Sequence, residues 1–165
     1  MFTYKNILLP TDGLGKCQFG VCHGVQIAKT MGAKVTAVCV TGKLSSQDIL
    51  KLHDMKELTS ASDVAAAKAA MFGADAEKKD EAAKALAVAK KMCDGVGVPC
   101  DLAHVPGENP VDGILKVAAE KKCDLIFIST HGNPGLFGSL FGNLATKIIA
   151  QSKIPVLVHH CGGPS

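Results

Sequence analysis

The residues best placed to do chemistry fall in one stretch, Ile126 to Asn143, which reads IFISTHGNPGLFGSLFGN. An apolar run leads into a loop carrying Gly132, Gly135, Gly138 and Gly142, and the loop leads into a helical pattern. Glycine lets backbone amides come close to an anion, and a helix N-terminus adds partial positive charge, so phosphate is the natural guest. The loop is neither a Walker A sequence, because no G-K-[ST] follows, nor a G-x-G-x-x-G dinucleotide fingerprint. A second candidate, Asp12, follows the apolar run KNILLP at residues 5–10. Its carboxylate can accept from a ribose hydroxyl or an adenine amine, or simply serve a turn or helix cap.

His131 invites a sharper reading, as a base beside Ser129 or Thr130. No third member of a triad is identifiable and no G-x-S-x-G elbow exists, so it is read as a loop histidine donating to phosphate or solvent. His159-His160-Cys161 is read as a strand end followed by a short tail. Cys17 and Cys22 lie five positions apart and do not face each other well on a helix.

Composition narrows the partners. The chain has 165 residues, 47% of them apolar and 20% charged, which suits one folded domain. A net charge of +3, with no basic cluster interleaved with aromatics, does not point to nucleic acid. All 18 basic residues are lysine, so phosphate would be held by amides and lysine rather than by an arginine fork. The seven cysteines are odd in number and include no C-x-x-C, so they are read as reduced thiols in a cytoplasmic protein. Cys39 and Cys123 fall within or beside apolar strand patterns. Lys5 and Asn6 interrupt the start, so no secretory leader is expected. No apolar stretch is long enough for a membrane helix.

The elements that position these residues alternate. Strands are expected at 5–10, at the β-branched KVTAVCV of 34–40, at 100–105, at 124–129 and at 155–159. A helix over 15–31 presents Val21, Val25, Ala28 and Met31 and closes at Gly32. Segment 42–60 reads as a loop with a short helix. The alanine- and lysine-rich 61–95 is helical, with Gly73 as a point of division and Ala82, Leu86, Ala89 and Cys93 on one face. Asn109-Pro110 starts a helix carrying Val111, Ile114, Leu115 and Ala118, and Leu144, Ile148 and Ile149 mark the last one. Such alternation predicts an α/β fold: a five-stranded parallel sheet with helices on both faces, and ligands at the carboxyl ends of the strands.

On these segments the chain resembles the universal stress protein family. KNILLPTDG, VTAVCV, CDLIFISTHG, LATKIIAQSKIP and PVLVHH carry the likeness over essentially the whole length. Nucleotide-binding members have a loop of the form G-x2-G-x9-G-[ST]. Here Ser129, Gly132, Gly142 and Asn143 stand in that frame, with spacing intact and two identities changed. Ser129 adds a Cβ and a hydroxyl where glycine belongs. Asn143 replaces a hydroxyl with an amide donor and also suits an N-cap.

The resemblance implies a single Rossmann-type domain over 1–161, of the adenine nucleotide alpha-hydrolase-like fold, with 162–165 as a tail. It implies ATP or AMP as ligand, with Mg2+ where phosphates need it. Adenine would lie near Pro10, Thr11, Asp12 and Val40. Ribose and phosphates would lie against Ser129, Thr130, His131, Gly132, Gly142, Asn143 and Leu144, and Gly107 would wall the pocket. It also implies a homodimer through the last strand, 155–159, and an unknown protein partner, but neither nucleic acid nor membrane. Any ATP hydrolysis would be slow, since no general base or carboxylate pair beyond Asp12 is evident. Two alternatives stay open: a member that works through protein contacts without nucleotide, and a hydrolase or thiol-redox enzyme on the same scaffold.

Overall fold

The computed structural model describes residues 3–12, 18–42, 61–130 and 138–160, with helix or strand backbone only at 18–19, 61–75, 130 and 138–143. Five strands form one parallel sheet in the order β3-β2-β1-β4-β5. They are β1 (Asn6–Pro10), β2 (Lys34–Thr41), β3 (Cys100–Pro106), β4 (Leu125–Thr130) and β5 (Val156–His160). The described helices are α1 (Gln18–Met31), α2 (Ala61–Val96), α3 (Pro110–Glu120) and α4 (Gly138–Gln151). The order reverses between β1 and β4, where Ile7 pairs with Leu125 and Leu8 with Ile126. That reversal is the switch point at which open parallel sheets leave a crevice.

Each face of the sheet has its own core. On one, Ile7, Leu9, Val35 and Phe127 meet Val21 and Val25 of α1 and Ala82, Leu86, Ala89 and Cys93 of α2. On the other, Leu8, Val38, Ile126 and Ile128 meet Val111, Ile114 and Ala118 of α3 and Ile148 of α4. Neighbouring strand residues point to opposite faces, so a strand buried on both sides must be apolar throughout, as ILL in β1 and LIFI in β4 are. A Cβ on Gly24 of α1 would lie 2.1 Å from Leu9 Cδ1, so glycine is what lets α1 settle against the sheet.

A polar tie holds the opposite end of the strands. Asp124 accepts from the amides of Lys5 and Asn6 at 2.7 and 2.9 Å. The Asn6 side chain donates to Lys121 O and accepts from the Thr36 hydroxyl, each at 2.9 Å. Asn6 and Thr36 are buried, and a buried polar group must be paired in this way to avoid a penalty of about 1–3 kcal/mol.

The sequence reading departs from the structure at several points. Gly73 does not divide α2, whose backbone is helical from Ala61 to Val96. A glycine costs a helix interior only about 1 kcal/mol, and the alanine-rich flanks outweigh it. Met31 and Ile149 are exposed at 36% and 54% rather than packed on their helices' inner faces. Asn109 caps α3 as expected, its side chain accepting from Val111 N at 2.9 Å. Gly32 closes α1 with φ +67°. The loop and short helix expected over 42–60 and the tail at 162–165 lie outside the described residues, apart from Gly42.

Candidate functional site

At the switch point, the carboxyl ends of β1, β2 and β4 open into a cleft of about 180 Å³. Pro10, Thr11 and Asp12 form its floor, and Val38 and Val40 of β2 form one side. Ile128 and Ser129 of β4 face them, and Pro110, Ile114, Leu144 and Ile148 close it from α3 and α4. The strands set this arrangement through register: Pro10 lies opposite Val38, and Val40 opposite Val105. Thr11 then continues the ladder, its amide donating to Val38 O at 2.8 Å, and Asp12 follows it on the cleft lining.

The walls are mainly aliphatic, and polar groups converge from Thr11, Asp12 and Ser129. A few polar groups on an apolar wall orient a flat heterocycle while its faces lie against hydrocarbon. Among the described residues Asp12 is the one carboxylate on the lining. The Cys39 thiol is pushed up to about 11, first by burial and then by the negative charges of Asp12 and Glu81. Among the described residues no group of three His, Cys, Asp or Glu side chains can hold a metal ion. Mg2+ at this cleft would depend on phosphate and water oxygens for most of its ligands.

The structure brings Pro10, Thr11, Asp12, Val40, Ser129 and Leu144 together around this one cleft. Gly107 is not among its walls. It has φ +69° and its amide donates to Thr41 O at 2.7 Å, and Pro110, three residues on, lines the cleft. The Thr130 backbone ends β4, and His131 and Gly132 lie outside the described residues. Gly142 and Asn143 belong to α4, which begins at Gly138. Asn143 thus lies more than a turn inside the helix and is not its N-cap. Leu140, four positions before Leu144, extends the helical spacing upstream and is the signal for this earlier start.

Five wall residues were not assigned to the site from the sequence: Val38, Pro110, Ile114, Ile128 and Ile148. Pro110 reads as a helix start, and the other four occupy apolar positions that pattern alone assigns to the core. At the carboxyl edge of a sheet, the last core residue is also the first wall of the crevice. The α3 wall comes close because position 113 is glycine: a Cβ there would lie 2.9 Å from both Val40 methyl carbons.

A doubly covered parallel sheet with a crevice at its switch point defines a Rossmann-like α/β protein. Comparison with known proteins makes the assignment specific. The model of the "Universal stress protein family" matches residues 3–160, and the chain belongs to that family. A universal stress protein of Methanocaldococcus jannaschii is 32% identical over 155 residues, covering 94% of this chain and 81% of the relative. One from Mycobacterium tuberculosis is 24% identical, covering 97% and 99%. Among solved structures, a second Methanocaldococcus jannaschii protein superposes with a TM-score of 0.72 at 22% identity, covering 99% and 100%. A universal stress protein solved in complex with cAMP superposes with a TM-score of 0.63 at 20% identity, covering 98% and 100%. One from Archaeoglobus fulgidus, solved in complex with dAMP, gives a TM-score of 0.58 at 18% identity, covering 95% and 98%.

Proposed function

We propose that the protein is an adenine-nucleotide-binding regulatory module of the cytoplasmic stress response, taking ATP or AMP in the cleft between β1, β2 and β4. The observation that carries this reading is the cleft itself: an aliphatic slot at the switch point, floored by Pro10, Thr11 and Asp12 and walled by Val40. The adenine ring lies between Val38, Val40 and Ile114, and Asp12 accepts from ribose hydroxyl or base amine. Phosphates extend past Ser129 toward the start of α4, and Mg2+ would offset their charge in the ATP form. Two structural relatives were solved with adenine nucleotides, cAMP and dAMP, which supports the choice of base.

The regulatory unit is a homodimer joined through β5, which pairs with β4 on its other side and leaves an edge carrying the half-buried residues Val156, Leu157 and Val158. An edge strand of this kind needs a cover, and a second copy supplies it. The output is contact with a protein partner rather than turnover.

A second reading has its own observation. Ser129 is buried at 8% exposure on the cleft wall, at the position where the resemblance to nucleotide-binding members implies glycine. In that reading the Ser129 side chain narrows the cleft against a nucleotide and the protein acts through its surface alone. Mass spectrometry of nucleotide released from the natively purified protein separates the two. Stoichiometric AMP or ATP supports the first reading. Nucleotide-free protein that also fails to retain added AMP in equilibrium dialysis at millimolar concentration supports the second.

A further inference from the structure

Helices α1, α2 and α3 end in the same turn. After α1, Gly32 N donates to Lys29 O at 3.2 Å and Ala33 N to Ala28 O at 2.9 Å. After α2, Gly97 N donates to Asp94 O at 3.2 Å and Val98 N to Cys93 O at 2.9 Å. After α3, Lys122 N donates to Ala119 O at 3.2 Å and Cys123 N to Ala118 O at 2.8 Å. The turning residue has positive φ each time: +67° at Gly32, +73° at Gly97 and +53° at Lys122. Glycine takes that conformation freely, whereas a Cβ strains it. Among the described residues Lys122 is the one non-glycine residue with positive φ. A lysine thus stands where the turn calls for glycine, and what it adds is a side chain. Strain kept at one position points to a use for the group held there.

That side chain borders a groove. A cavity of about 460 Å³ lies where α3 and α4 end, with Leu115, Ala118 and Ala119 of α3 and Ile154 supplying apolar lining. Two cations join them, Lys122 and Lys153, each two residues beyond its helix. Lys153 is placed by a turn of its own. Ser152 N donates to Ile148 O at 2.8 Å, and the Ser152 hydroxyl donates to Ile154 O at 2.7 Å while accepting from Ile154 N at 3.2 Å. Ile126 N then donates to Pro155 O at 3.0 Å and fastens this turn to the sheet. Among the described residues neither lysine has a salt-bridge partner, and no carboxylate lines the groove. The adjacent acid, Asp124, accepts instead from the amides of Lys5 and Asn6.

We propose that this groove binds an amphipathic carboxylate, its aliphatic or aromatic body along Leu115, Ala118, Ala119 and Ile154 and its carboxylate at the Lys122 and Lys153 ammonium groups. The volume is in the range that takes small organic ligands. The lining calls for both halves of such a molecule. An inorganic anion would leave the apolar wall wet, and a neutral hydrocarbon would leave two ammonium groups unmet. The lysine stems add hydrocarbon of their own to the wall. Lys122 and Lys153 precede β4 and β5, so the groove lies at the amino edge of the sheet, opposite the nucleotide cleft. The proposal stands independently of the nucleotide reading.

The test titrates 15N-labelled protein with sodium octanoate and, separately, with octanol. Octanoate should shift the amides of Lys122, Cys123, Lys153 and Ile154 saturably and leave those of Thr11 and Asp12 in place. Octanol, with the same chain and no charge, should bind more weakly. Lys122→Gly relieves the turn, so it should melt at or above the wild-type temperature. It should nonetheless bind octanoate about two- to fivefold more weakly, as expected for one partly exposed ion pair. Lys153→Ala should show a similar loss. The proposal is overturned if millimolar octanoate gives no saturable shift at these amides, if octanol binds as tightly, or if both folded variants keep the wild-type affinity.

Discussion

A Cβ on Gly113 would lie 2.9 Å from both methyl carbons of Val40, so a helix glycine sets the width of the cleft that Val40 lines. Gly113→Ala is expected to push Val40 toward the cleft. Overpacking costs about 1–3 kcal/mol, and the better helix propensity of alanine returns about 1. Urea denaturation should therefore show net destabilisation of up to about 2 kcal/mol, with AMP affinity lowered about three- to tenfold. Gly95→Ala is the control, because no atom lies within 4 Å of its added Cβ. It should leave stability unchanged or raise it by up to about 1 kcal/mol.

Ser129→Gly removes the side chain that departs from the nucleotide-binding loop pattern. It clears the β4 side of the cleft, where Ser129 is buried on the wall. AMP and ATP should bind more tightly than to the wild-type chain, by up to about tenfold for one relieved contact of about 1.4 kcal/mol. Titration calorimetry checks this. An unchanged or weaker affinity would show that the hydroxyl helps to hold the ligand.

Alkaline stability depends on Cys39. Its thiol is raised from 9.0 to about 11 in the folded chain, mainly by burial. Between these values the folded state binds the proton that the unfolded state releases, so stability is full below pH 9.0 and falls as pH rises toward 11. Cys39→Ala should flatten that fall. The loss between the two pH values should be smaller in the variant by about 1–3 kcal/mol, read from denaturant melts at each pH. Equal slopes in the two proteins would refute the assignment.

The proposed dimer rests on β5. Val158→Asp places a charge on the half-buried edge strand opposite Ile128. Sedimentation should shift from dimer to monomer while the circular dichroism spectrum is kept. A wild-type chain that sediments as a monomer at all concentrations would remove the dimer from the account.

Much of the fold was legible because local and global signals agree. KVTAVCV is β-branched and becomes β2, Ala82-Leu86-Ala89-Cys93 keeps helical spacing and is buried, and Asn109-Pro110 pairs a cap with a first-turn proline. Legibility failed where one residue type permits two outcomes. Gly73 stays helical, whereas Gly32 closes a helix. Gly138 opens α4 although the glycine-rich composition reads as loop as far as Asn143. Met31 and Ile149 match a helical stripe but fall at its margin, where the neighbouring layer no longer covers them. In the site, Pro10–Asp12 and Ser129 carry chemistry in their residue types, while Pro110, Ile114 and Ile148 carry only shape. Shape emerges once α3 and α4 are laid across the strand ends.

In the proposed function the cleft between β1, β2 and β4 holds an adenine nucleotide oriented by Asp12. Titration calorimetry of the wild-type chain and of Asp12→Ala with AMP and ATP addresses it most directly. Saturable one-to-one binding to the wild type is expected below millimolar nucleotide. Loss of the hydrogen bond to the Asp12 carboxylate, about 1.5–3 kcal/mol, should weaken Asp12→Ala by about ten- to a hundredfold. No saturable heat up to millimolar nucleotide, or equal affinity in the two proteins, would contradict it.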